Sequence, residues 1–154
     1  VILNKMPTIS LAEMMRRVQK ASSLEFLKSE EDKIVLSDQK NLQSLKINEW
    51  EQGLRPDGSK IGIYKDAEYA IFKDHINPRA GGYVDLLLSR NTAKSLFVTK
   101  AQQGYIFNMN DQHGLVRKYG IDILGLNQES FNKRQEDVYQ YALLYSLRKI
   151  INGA

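Results

Sequence analysis

The sequence predicts an α+β fold: N-terminal helices, a small twisted, mainly antiparallel sheet of three to four strands, and a long C-terminal helix. Three observations carry this. Apolar side chains recur at helical spacing in the first third of the chain. Short runs of β-type residues, broken by glycine-containing turns, fill residues 61–109. Asn127 then opens a second helical pattern that holds almost to the end. All 154 residues read as a single domain, with residues 1–54 mainly helical, 61–109 forming the sheet and 111–152 the C-terminal helices.

Ser10-Leu11-Ala12-Glu13 has the form of a capping box, in which the serine oxygen accepts from the Glu13 amide and Glu13 reaches back to the Ser10 amide. Leu11, Met14, Met15, Val18, Ala21 and Leu24 follow at helical spacing and predict a helix to about Lys28. Ser29 to Lys33 reads as a charged break, and Ile34 to Leu36 fits either a short strand or one helical turn. Helix formers dominate from Asp38 to Leu54. Ile47, Trp50 and Leu54 share one face there, and Leu42 and Leu45 point well away from it. Asn48 with Glu51 has the form of a second capping box, and Gly53 closes the helix.

Gly53 to Lys60 predicts a reversing turn. It shares the spacing of a phosphate loop, but its last pair is Ser59-Lys60, no apolar strand precedes it, and Pro56 removes an amide. Ile61 to Tyr64 predicts a short edge strand. Asp66 to Lys73 predicts two helical turns with Ala67, Ala70 and Ile71 inward, and Lys73 to Gly82 a loop. Gly81-Gly82 opens the central stretch, where Val84 to Leu88 reads as a strand covered on both faces. Ser89 to Lys94 is a polar break, and Ser95 to Val98 and Tyr105 to Met109 supply the remaining strands.

Asp111 caps a short helix carrying Leu115, Val116 and Tyr119, and Gly120 stops it. Ile121 to Leu126 is an apolar connector. In the last helix Phe131, Val138, Tyr141, Ala142 and Tyr145 form one stripe, and Tyr139, Leu143, Leu144, Leu147, Ile150 and Ile151 lie opposite. Two apolar faces fit a helix sandwiched inside the fold, or one whose second face meets another chain. On the second reading Leu143, Leu147, Ile150 and Ile151 form an oligomer interface.

The composition, 42% apolar and 26% charged, is that of an ordinary globular chain. No run approaches the roughly 18 apolar residues of a membrane span, so no membrane partner is expected. Residues 1–10 lack the pattern of a signal peptide, and a first residue other than methionine fits a fragment or a processed product. With no cysteine there are no disulfides and no thiolate metal sites. The net charge of +4 is mild, and its lysines and arginines are scattered, as on a solvated surface.

Chemistry-bearing patterns are sparse. His75 and His113 fall in different regions, and Asp111-Gln112-His113 offers a metal no third ligand at a helical or hairpin offset. Ser89 and Ser95 lack the glycine-flanked elbow that exposes a nucleophile. Asp57 and Glu68 resemble part of a nuclease carboxylate set, without the lysine two residues after the glutamate. Asp85 is a lone carboxylate in an apolar run, which calls for a lysine partner or a solvent-facing edge. The expectation is a protein with no catalytic residue, no cofactor and no metal.

Three stretches resemble the tail-completion or head-tail joining proteins of the tailed-bacteriophage neck. They are Trp50-Glu51-Gln52-Gly53 through Asp57 to Tyr64, Val84 to Ser89 with Ala93 to Leu96, and Leu115 to Gly120 with Ile123 to Leu126. They cover residues 48–127 and leave the flanking helices unmatched. Where related sequences carry a Thr-Gly turn, this chain has Ser89-Arg90, and the glycine's backbone freedom is lost. The resemblance implies a structural virion protein without catalytic residues, located at the neck and assembled in the host cytoplasm. It would form a homo-oligomeric ring that joins portal or adaptor to the tail and lets DNA through its lumen without sequence-specific binding. Other classes remain as alternatives: a small basic DNA-associated protein, a metal-dependent nuclease or a hydrolase.

Overall fold

The computed structural model describes residues 9–87 and 90–153, position 90 by its backbone alone. These residues group into two compact units. Unit 1 comprises the chain up to Val35 together with the part from Glu136 onward, and unit 2 is Leu36–Gln135.

In unit 1, α1 (Leu11–Ser22) starts where the Ser10 hydroxyl accepts from the Glu13 amide at 3.2 Å. The Glu13 carboxylate does not turn back to Ser10. It takes Arg16 at 2.9 Å and Arg17 at 2.7 Å, the neighbours one turn on. The expected helix to Lys28 stops early, because Ser23 adopts an extended backbone and caps α2 (Leu24–Ser37), its hydroxyl accepting from the Phe26 amide. The expected charged break at Ser29 to Lys33 is helix, with Glu30 and Lys33 paired across one turn at 2.6 Å. Charges at this spacing support a helix, whereas a capping serine ends one.

The C-terminal run starts as expected at Asn127, whose side chain accepts from the Ser130 amide at 3.1 Å. It comprises α7 (Gln128–Arg134), a π turn at Gln135–Tyr139 and α8 (Gln140–Asn152), closed by Gly153 at φ 77°. The extra residue of a π turn advances every later side chain by about a quarter turn. That breaks the stripe expected from Phe131 to Tyr145. Phe131 packs near Tyr105 in unit 2, while Tyr141 and Tyr145 are exposed on α8, which packs on α1 in unit 1.

Unit 2 is built on α3 (Gln39–Glu51). Its buried face is Leu42, Lys46, Glu49 and Trp50 rather than the expected Ile47–Trp50–Leu54 set. The Lys46 ammonium lies 2.8 Å from Glu49 and near the Trp50 ring, and the Trp50 indole donates to the Ile123 carbonyl at 3.2 Å. Burial presses the Lys46 ammonium below its ordinary value, with the Glu49 charge pulling the other way. Asn48 does not open a capping box; it lies inside α3. Gly53 (φ 66°) ends that helix with its amide on Trp50 and the Leu54 amide on Glu49, a Schellman arrangement. The expected reversing turn follows, with Leu54 bridging Lys60 and Asp57 accepting from the Ser59 amide.

The sheet of three to four strands is overturned. Among the described residues 63% are helical, with a single two-stranded antiparallel sheet. Its strands are β1 (Phe97–Lys100) and β2 (Tyr105–Asn108), in the register Val98 opposite Phe107. Gln39 explains why β1 gains no further strand on its other edge. Its side-chain amide donates to the Val98 carbonyl at 2.8 Å and accepts from the Val98 amide at 2.7 Å, standing where a peptide would. The segments around Ile61 to Tyr64 and Tyr83 to Leu87 meet through one bridge, Ile63 with Tyr83, and Val84 to Leu87 forms no strand. The polar break is partly the short helix α5 (Arg90–Lys94); Leu88 and Ser89, which the expected strand and turn included, lie outside the described residues.

Two measurements test this local reading. A Cβ on Gly53 would meet the Val84 carbonyl oxygen at 3.0 Å from a left-handed backbone, so Gly53→Ala destabilises unit 2 by about 1–3 kcal/mol. Urea unfolding followed by Trp50 fluorescence reads this, since Trp50 is the sole tryptophan. In unit 1, hydrogen bonds from Arg16 and Arg17 hold the Glu13 carboxyl at about 2, below its ordinary 4.5. A folded value below the unfolded one gives stabilisation that is present above 4.5 and lost as pH falls to about 2. Glu13→Gln therefore flattens the acid-side loss of far-UV circular dichroism in that window.

Candidate functional site

The strongest concentration of buried chemistry in unit 2 surrounds Asp85. Asp66 caps the preceding helix, α4 (Ala67–Ile76), by accepting from the Tyr69 amide at 2.7 Å, and Asn77-Pro78 ends it. The sequence reading placed Ala67, Ala70 and Ile71 inward. The helix is turned the other way: Lys73 is buried, whereas Ile71, Phe72 and Ile76 are 72%, 56% and 59% exposed. Lys73 reaches Asp85 at 2.6 Å, with both side chains buried.

Asp85 ties more than α4. Its second oxygen accepts from the Asn77 side-chain amide at 2.7 Å, and that amide also donates to the Glu51 carbonyl at the end of α3. The Tyr64 hydroxyl donates to the carboxylate at 3.2 Å and accepts from the Asp85 amide at 3.1 Å. Burial first, and the neighbouring Asp85 charge second among the causes that raise it, push the Tyr64 hydroxyl well above the usual phenol value. It therefore stays protonated and cannot serve as a base near neutrality. The polar atoms of the cluster face one another, which makes it a tie between α3, α4 and residues 83–87. Of the two sequence alternatives for Asp85, the lysine partner is the one realised.

Asp85 also stands in the wall between two clefts. One, about 560 Å³, is lined by Tyr64, Tyr69, His113, Lys118 and Tyr119. The other, about 460 Å³, is lined by Glu51, Lys73, Asn77, Arg79 and Lys94. His75 and His113 are both exposed. The Asp111 carboxylate is directed at the start of α6 (Leu115–Tyr119), accepting from the Leu115 and Val116 amides at 2.6 and 2.9 Å. Among the described residues no three His, Cys, Asp or Glu side chains converge as a metal site would require.

The expected interface residues Leu143, Leu147, Ile150 and Ile151 are half-buried on α8, and the exposed apolar side chains of that helix are Tyr141, Leu144 and Tyr145. In unit 1 the widest apolar exposure is on α1, at Leu11, Met14, Met15 and Val18. The outward face of α4 went unseen in the sequence. Its one signal was Asp85, a buried carboxylate that required some nearby cation to turn inward. No family model, curated protein or solved structure matches the chain.

The tie makes a stability prediction. Lys73→Met leaves Asp85 buried without its cation and lowers the urea stability of unit 2 by about 3–5 kcal/mol. Asp85→Asn in the same background costs much less than it does alone, a coupling of about 0.5–3 kcal/mol in a double-mutant cycle.

Proposed function

We propose that the protein is a structural subunit of the tailed-bacteriophage head-tail neck, a tail-completion or head-tail joining protein that assembles as a homo-oligomeric ring. The ring stands between portal or adaptor and tail in the virion, is built in the host cytoplasm, and encloses the path of the DNA. The reading places no catalytic residue, cofactor or metal in the chain. Its work is mechanical: to present one surface to the portal side and another to the tail side.

The observation that carries it is the orientation of α4. A helix that buries Lys73 while displaying Ile71, Phe72 and Ile76 leaves apolar surface in water, at a cost of about 25 cal/mol per Å². Such surface is recovered when another molecule covers it. The three stretches that resemble neck proteins all lie in unit 2, and the first two contribute Tyr64 and Asp85 to the tie that fixes α4. The net charge of +4 suits a lumen that DNA crosses without being gripped.

Sedimentation and negative-stain microscopy of the purified chain test the ring. The expected result is a closed assembly of several copies that binds DNA weakly and releases it steeply as salt rises. A monomer at all concentrations overturns the proposal. Tight DNA binding that survives physiological salt favours the DNA-associated alternative instead.

A further inference from the structure

We infer that the larger cleft of unit 2 is a binding site for the base and phosphate of a nucleotide. This goes beyond the ring reading and does not depend on it. The cleft holds about 560 Å³, and every residue that lines it belongs to unit 2. Sites for small molecules run from roughly 300 to 1,000 Å³. The nearly inaccessible Val84, Asp85 and Leu86 form its floor.

Three tyrosines stand in its walls. The Tyr64 ring is fixed, because its hydroxyl is committed to the carboxylate and amide of Asp85. Tyr69 meets that ring edge to face, with centroids 5.2 Å apart. Tyr119, half-buried at the end of α6, lines the cleft as well. Rings held in this way take a planar partner at little cost in order, and every nucleobase has a face to stack.

The charges select an anion. Two carboxylates line the cleft, and both are committed. Lys73 lies 2.6 Å from Asp85, and Asp66 accepts from the Tyr69 amide at 2.7 Å as the cap of α4. The groups left for a ligand are the exposed ammonium groups of Lys65 and Lys118 and the exposed ring of His113. The Lys118 ammonium stands 5.0 Å from the centre of the Tyr119 ring, so a cation and an aromatic face are offered side by side. A neutral sugar needs hydrogen-bond acceptors that this cleft has already spent. A purely apolar ligand leaves both lysines unused. A base joined to a phosphate uses rings and cations together, whether it is a free nucleotide or one unit of a single strand.

Calorimetric titration with adenosine monophosphate and with a short oligothymidylate tests the site, and hydrogen exchange locates it. The expected result is saturable binding that protects residues 63–69 and 113–119. Adenosine alone and inorganic phosphate alone are expected to bind at least about tenfold more weakly than the nucleotide. Saturation by the mononucleotide identifies a free nucleotide as the source; saturation by the oligonucleotide alone identifies a strand. Lys65→Gln combined with Lys118→Gln changes two exposed side chains and is expected to weaken binding about tenfold, with circular dichroism unchanged. Tyr119→Leu keeps an apolar wall and is expected to weaken it about tenfold through lost stacking. The site is overturned if neither ligand binds at about 1 mM, or if the protection falls elsewhere on the chain. It is overturned equally if adenosine or phosphate alone binds as tightly as the nucleotide, or if either folded variant binds as the wild type does.

Discussion

The buried carboxylate of Asp85 is the constraint on which unit 2 depends. It sits between Val84 and Leu86, both nearly inaccessible, in a segment with no strand ladder to absorb its backbone groups. A charge in that position costs several kcal/mol unless it is paired and hydrogen-bonded. Lys73 and Asn77, from the end of α4, and Tyr64, from the segment before it, meet that requirement. The Val84 amide is taken by the Gly62 carbonyl at 2.9 Å, and Gly53 lets the turn approach the Val84 carbonyl. The close approach, the tie and the placement of α4 are thus one arrangement.

An apolar pair in place of Lys73 and Asp85 could hold the helix as tightly. What the ion pair adds is rotation. With only apolar contacts, α4 would turn apolar side chains such as Ile71 inward, as the sequence reading of Ala67, Ala70 and Ile71 has it. A lysine that must meet a carboxylate fixes the opposite rotation and keeps those side chains in solvent. The same device recurs at Lys46 and Glu49. Their pairing is buried beside Trp50, and the Glu49 carboxylate also accepts from the Asn127 amide at 2.9 Å. There it anchors the segment that leads into α7. Side chains bond the backbone across unit 2, with Gln39 on Val98 the plainest case.

What was legible in the sequence was local. Ser10, Asp66, Asp111 and Asn127 each accept from amides of the helix they begin, and Gly53 ends α3. The hairpin of β1 and β2 was also legible, because its two runs flank one short turn. Periodicity misled where a distant partner decided. Val84 to Leu87 has strand composition, yet the Asp85 amide pairs with a tyrosine hydroxyl 21 residues away. The face of α4 was misjudged because counting apolar positions gives no weight to a lysine whose partner lies beyond the next turn. The π turn displaced the stripe on the last helix by one residue, which a regular helical wheel does not represent. Of the candidate site, Asp85 itself was visible as an anomaly, and its partners were not.

Unit 1 supplies the other half of the case for assembly. Its nearly inaccessible apolar side chains among the described residues are Ala21, Val35 and Tyr139, while α1 keeps Leu11 and Met15 more than half exposed. A unit of this size is marginal when stabilised by its own packing. Natural small units make up the difference with disulfides, metals or association. Disulfides are ruled out, because the chain has no cysteine. On the ring reading proposed above, association would supply apolar contacts that three buried side chains do not. Stability and assembly are then coupled by mass action. On the ring reading, a second copy would add to the stability of the first.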